Sequence, residues 1–150
     1  MALPASLKYF NIFNLKPSFT IDQGDLKTKY FELSKRYHPD KMVNAPADGM
    51  SIEEINKAYI TLGNDFLRAK YLHGSEGMPK IDREFLADML DYEESISNIN
   101  SDEEEERIRR DLEERITQCK LNFFDKEYLC KWAYYERLRD ILNKRKDLRE

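Results

Sequence analysis

The chain has 150 residues, 41% of them hydrophobic and 36% charged, with five glycines, five prolines and a formal net charge of −4. That apolar content supports real cores and excludes global disorder, and the scarcity of breakers favours helix throughout. No stretch approaches the run of about eighteen apolar residues that a membrane span needs. Met1 to Lys8 lacks the charged start and apolar run of a signal peptide. These features predict a protein of the cytoplasm, or of a matrix if a transit peptide has already been removed.

The charge is unevenly spread. Residues 1–81 hold eleven Lys or Arg against nine Asp or Glu, whereas residues 82–150 hold fourteen against twenty. Within 82–114, fourteen carboxylates face four arginines, which makes nucleic acid a poor partner for the second half. The break near residue 81 is a first sign of two domains.

Tyr9 to Leu15 forms a short apolar helix that Pro17 should close. Asp22 offers an N-cap and Asp25 a favourable charge at the positive helix end. Leu26, Tyr30, Leu33 and Tyr37 follow on one helical stripe, so a second helix is predicted over 22–37. Pro39 ends it, because proline pushes the preceding residue out of helical conformation. The loop from Val43 to Gly49 is rich in breakers. Ser51 and Glu54 then make a capping box for a helix with Ile52, Ile55, Tyr59 and Leu62 buried, stopped at Gly63. Asn64 or Asp65 caps a short fourth helix ending near Leu72. Gly74 to Pro79 reads as a linker and coincides with the charge break.

Asp82 caps the next helix, whose stripe is Phe85, Met89, Tyr92, Ile96 and Ile99. Asn100-Ser101-Asp102 breaks it and starts another, with Ile108, Leu112, Ile116 and Cys119 on one face. Asn122 and Asp125 suggest a further break and cap. The last helix is expected to run to about Lys146 and to bury Phe124, Tyr128, Tyr135, Leu138 and Leu142, with Trp132 in the core. The fold predicted is all-α, a helical hairpin domain over 1–74 and an antiparallel three-helix bundle over 82–150, joined by 75–81.

The chemistry-bearing residues are few. His38 and Asp40 flank a proline, a poor geometry for aiming both groups at one atom, and no nucleophile or phosphate-binding loop accompanies them. No catalytic residue, and no enzyme, is therefore predicted. Cys119 and Cys130 lie eleven residues apart with no histidine nearby, so they read as small hydrophobes and no metal site is expected. The run Asp102 to Glu106 suits the first turn of a helix and needs no site. His73 likewise receives none.

His38-Pro39-Asp40 alone would be an ordinary helix-ending turn. Here it follows a helix with Lys27, Lys29, Lys35 and Arg36, continues into Lys41, and precedes a second amphipathic helix. With Tyr9 to Phe13, Tyr37 and the run Ile55 to Tyr59, this arrangement resembles the J-domain over residues 7–73. The resemblance implies that His38, Pro39, Asp40 and Lys41 contact a DnaK-type ATPase, that Lys27, Lys29, Lys35 and Arg36 dock on its acidic face, and that its ATP hydrolysis is accelerated. Basic side chains on that helix would steer such an encounter.

No Gly/Phe-rich linker or zinc-binding cysteine array follows. The run Leu67 to Leu72, the short linker and the acidic helix from Asp82 resemble the HscB family. That resemblance implies an HscA-type ATPase partner, an IscU-type iron–sulphur scaffold as client, and no cofactor of the protein's own. It places the client patch at Leu86, Ala87, Leu90, Asp91 and Glu94, with Tyr135 across from them; Ala87 is smaller than is usual there. The residues themselves support a binding face: Leu86 and Leu90 lie about 100° from the buried stripe and are flanked by Asp91 and Glu94. A J-protein with another client, or a helical adaptor outside chaperone function, remain the alternatives at this point.

Overall fold

The structure, a computed structural model, describes residues 7–38, 40, 50–74 and 80–148. Pro39, Lys41, the loop at 43–49 and residues 75–79 of the linker lie outside the described residues. Those described contain seven helices and no strand: α1 (Lys8–Ile12), α2 (Gln23–Tyr37), α3 (Ile52–Gly63), α4 (Asp65–His73), α5 (Arg83–Ser97), α6 (Asp102–Leu121) and α7 (Lys126–Leu148). None is long and apolar enough to cross a membrane. The chain divides into two compact units, Met1–Ser75 and Glu76–Glu150.

Helix starts follow the short polar side chains. Asp22, Ser51, Asn64, Asp82 and Ser101 each accept a hydrogen bond from the backbone N–H three residues on, at 3.1, 3.2, 2.9, 2.8 and 3.2 Å. Each satisfies a donor that the helix itself cannot. At α3 only half of the expected capping box forms, because the Glu54 carboxylate pairs with Lys8 of α1. Pro17 does not end α1. Asn14 adopts φ 52°, and the N–H groups of Leu15 and Asn14 bond to the carbonyls of Phe10 and Asn11 at 2.8 and 3.0 Å. This is a Schellman stop, with asparagine tolerating the left-handed conformation. Gly63 is simply the last residue of α3, whereas Gly74, at φ 80°, closes α4 by donating to Lys70 and Tyr71.

The first unit packs α3 against α1, α2 and α4. Its core is Leu7, Phe10, Phe13, Leu26, Ile55, Ala58 and Leu62, with Tyr30, Leu33 and Tyr37 of α2 packed against it. Tyr30 stacks on Tyr59 at 4.0 Å and donates to Asn56 at 2.7 Å, pinning α2 to α3. Arg68 is buried in this unit. Its guanidinium donates to the Phe19 and Leu62 carbonyls and to Asp65, and lies over the Phe19 ring. It thereby ties the α1–α2 connection to the α3–α4 corner, and its charge is met by hydrogen bonds on all sides.

The second unit is the expected up-down-up bundle. Tyr92 and Asp88 of α5 meet Asp111 and Arg115 of α6, and Arg109 and Glu113 of α6 meet Asn143 and Arg139 of α7. In both pairs the residue numbers run in opposite directions, so neighbours are antiparallel. The α6 stripe is buried as read: Ile108, Leu112, Ile116 and Cys119. The α7 stripe differs. Leu129, Trp132, Tyr135, Leu138 and Leu142 are buried, while Phe124 is 69% and Tyr128 37% exposed. Phe85, the first buried residue of α5, meets α7 at Lys131, Tyr134 and Tyr135, so Tyr128 lies beyond the end of that packing. α7 also packs on both α5 and α6. Its buried arc is therefore wider than a single stripe.

Candidate functional site

Each unit presents one candidate surface. In the first, α2 ends at His38, whose ψ of 133° is the extended value forced by the proline that follows. The Asp40 N–H donates to His38 Nδ1 at 3.2 Å. A nitrogen that accepts cannot also carry the proton, so the neutral ring holds its hydrogen on Nε2. Nδ1 also lies 3.6 Å from the Asp40 carboxylate, a contact that becomes an ion pair when the imidazole is protonated. Both side chains are exposed, Asp40 almost fully. The turn thus presents the His38 imidazole and the Asp40 carboxylate to solvent, set by local bonds.

The basic residues of α2 do not share one face. At 100° per residue, Lys27 and Lys35 fall on the side of the helix that carries His38, and Lys29 and Arg36 fall on the other. Lys29 is paired with Asp25 at 3.2 Å, and the Arg36 guanidinium sits 6.0 Å from the Tyr37 ring. The expectation of four cations acting together therefore reduces, on the His38 side, to Lys27 and Lys35. Lys41 and Pro39 lie outside the described residues.

In the second unit, Leu86 and Leu90 are 40% and 66% exposed. They form one wall of a groove between α5 and α7, floored by Met89 and Leu138 and closed by Tyr134, Glu93 and Arg137. Glu93 and Arg137 face each other across it at 4.0 Å. Ala87, Asp91 and Glu94 are exposed on the outer side of α5. Asp91 and Glu94 line a polar hollow with Ser95, Asn98 and Glu104, next to the groove rather than in it.

Tyr135 does not join this surface. It is 6% exposed, its ring is edge-on to Phe85 at 5.7 Å, and its hydroxyl lies 3.4 Å from Arg115. The neighbouring residue, Tyr134, lines the groove, with Phe85 edge-on at 5.6 Å. The sequence signal was present: in a run of two tyrosines, the residue three before Leu138 belongs to the core and the residue four before it borders the core. Choosing between them required knowing that α7 touches two helices.

Among the described residues, no group of three or more His, Cys, Asp or Glu could hold a metal ion. Burial raises the Cys119 thiol to about 11 and pushes Cys130 up as well. Both cysteines are free.

Comparison with known proteins gives the family and the fold. Residues 8–71 match the DnaJ domain family. The co-chaperone protein HscB homolog of Shewanella pealeana is 33% identical over 115 residues, 68% of this chain and 66% of that protein. The homolog of Neisseria meningitidis is 32% identical over 127 residues, 76% of each chain. The alignment thus spans slightly less than two thirds of the Shewanella relative's own length. Among solved structures, human co-chaperone protein HscB superposes with a TM-score of 0.80 at 23% identity, covering 97% of this chain and 85% of that one. Chaperone HscB from Vibrio cholerae gives 0.76 at 22%, covering 95% and 99%. At those identities the structural likeness speaks for the fold.

Proposed function

This chain belongs to the HscB family of J-domain co-chaperones, and from that premise we propose that it stimulates ATP hydrolysis by an HscA/DnaK-type chaperone and delivers an IscU-type iron–sulphur scaffold to it. The observation that carries this reading is the apolar groove of the second unit. Leu86 and Leu90 stand exposed beside a buried core, half-buried Tyr134 lines the same groove, and Asp91 and Glu94 lie next to them. An apolar centre with a charged rim is the ordinary anatomy of a protein-binding patch.

The first unit supplies the other half. His38, Pro39 and Asp40 would engage the ATPase, and Lys27, Lys35 and Lys41 would steer the encounter. Lys29 and Arg36 act from the far side of α2. The protein makes and breaks no bond itself, and any cluster travels on the client. A cytoplasmic setting fits this role.

The test is single-turnover ATP hydrolysis by an HscA-type chaperone, with this protein and an IscU-type scaffold added separately and together. The two together are expected to stimulate more than the sum of each alone. His38→Gln abolishes the effect, and Leu86→Ala/Leu90→Ala removes only the scaffold-dependent part. Stimulation indifferent to the scaffold would assign the groove to another client. No stimulation of any DnaK-type chaperone by folded protein would overturn the proposal.

A further inference from the structure

α2 carries an aromatic ring that its core does not use. Leu26, Tyr30, Leu33 and Tyr37 form the buried stripe, yet Phe31 is 51% exposed on a helix otherwise covered by charge. Phe31 lies seven residues before His38, two helical turns less 20°, so the two fall on one line about 10 Å apart along the axis. Lys27 and Lys35 stand one turn to either side of the ring. Lys27 Nζ lies over the ring at 6.0 Å from its centroid, the outer limit of a cation–π contact, and half of the Phe31 surface stays exposed. The Tyr30 ring, tilted at 5.8 Å, backs it from the core side.

We propose that Phe31 is an aromatic anchor at the centre of the surface with which this protein grips its ATPase chaperone, and that the chaperone receives it in an apolar socket ringed by carboxylates. The inference rests on the proposed co-chaperone reading. Its occupant follows from the order along α2, namely Lys27, Phe31, Lys35, His38 and Asp40. The ring is continuous with the turn that engages the chaperone, and the lysines beside it call for acidic groups on the facing protein. A half-exposed, backed aromatic within a polar border is the arrangement in which one side chain carries much of an interface's affinity. Lysines contribute chiefly to encounter rate and salt dependence. Phe31 thus sets how tightly the chaperone is held, while His38 sets what the contact does to hydrolysis.

The experiment titrates the protein against an HscA-type ATPase under single-turnover conditions, at about 50 and about 300 mM salt. Phe31→Ala is expected to raise the half-maximal concentration about tenfold or more at both salts, with maximal stimulation within about twofold of wild type. Lys27→Ala/Lys35→Ala should raise it at low salt and lose that effect at high salt. His38→Gln should lose maximal stimulation at every concentration. Alanine favours helix more than phenylalanine, so α2 should persist, as circular dichroism will show. Should it not, Phe31→Leu and Phe31→Gln decide the matter: an unchanged Leu variant with a weakened Gln variant supports the anchor, and equal titrations overturn it. A Phe31→Ala titration that overlays wild type overturns it while leaving the co-chaperone reading intact. A wild-type protein that stimulates no chaperone removes both.

Discussion

His38 and Asp40 are two residues apart and hold each other through a bond between the Asp40 N–H and the His38 ring. Leu86 and Tyr134, by contrast, come from separate helices, α5 and α7, and are neighbours only because the bundle core between them is packed. The first surface is polar, exposed and local. The second is apolar and assembled from parts distant in the chain. One should therefore survive losses of packing that would dissolve the other, and their failure under mutation should look different.

The largest separation is expected between core and groove within the second unit. Trp132 is fully buried, and its indole N–H donates to Glu136 at 2.9 Å. Trp132→Ala should cost about 3–5 kcal/mol of stability in a denaturant titration. Leu90→Ala, at a site two-thirds exposed, should stay within about 0.5 kcal/mol. A similar loss for both would mean that the groove is core.

Next come the adjacent tyrosines. Tyr134→Ala should weaken scaffold binding, followed by calorimetry, about tenfold or more with little change in melting. Tyr135→Ala should lower stability by about 3 kcal/mol, with binding largely kept by the protein that remains folded. The reverse pattern would return the client surface to Tyr135.

The smallest expected effect concerns the thiols. Cys119 is 2% exposed, and burial raises its thiol to about 11, because the thiolate is poorly solvated there. Its reactive thiolate grows only as pH climbs toward that value. At about pH 8, close to the ordinary thiol range, iodoacetamide should therefore label Cys130 first, as mass spectrometry will reveal. Cys119 should wait for unfolding. Equal labelling rates in the native protein would show that the α6–α7 contact opens readily.

Legibility in the sequence followed the same division. Features resting on residues close in the chain were readable: the caps at Asp22, Ser51, Asn64 and Asp82, the stripe of α6, and the extended residue before Pro39. Where two elements compete for a side chain, local reading failed. Glu54 left its capping box for Lys8 of another helix. Phe124 and Tyr128 fit a helical period but extend past the region where α5 packs. The split of the α2 cations was implicit in helix geometry, since positions 27, 29, 35 and 36 cannot share one face. Arg68 had no sequence signal for its burial. Its three partners come from the α1–α2 connection, the end of α3 and the start of α4, and only the fold brings them together.

On the proposed function, one chain couples two independent surfaces. The most direct measurement mixes two variants in single-turnover hydrolysis by an HscA-type chaperone: His38→Gln, which keeps the groove, and Leu86→Ala/Leu90→Ala, which keeps the turn. Tethering on one chain raises the effective concentration of client at the chaperone to about the millimolar range. At micromolar protein the mixture should therefore fail to restore the scaffold-dependent acceleration of wild type. Full restoration would overturn that coupling, because the two surfaces would then have no need to share a chain.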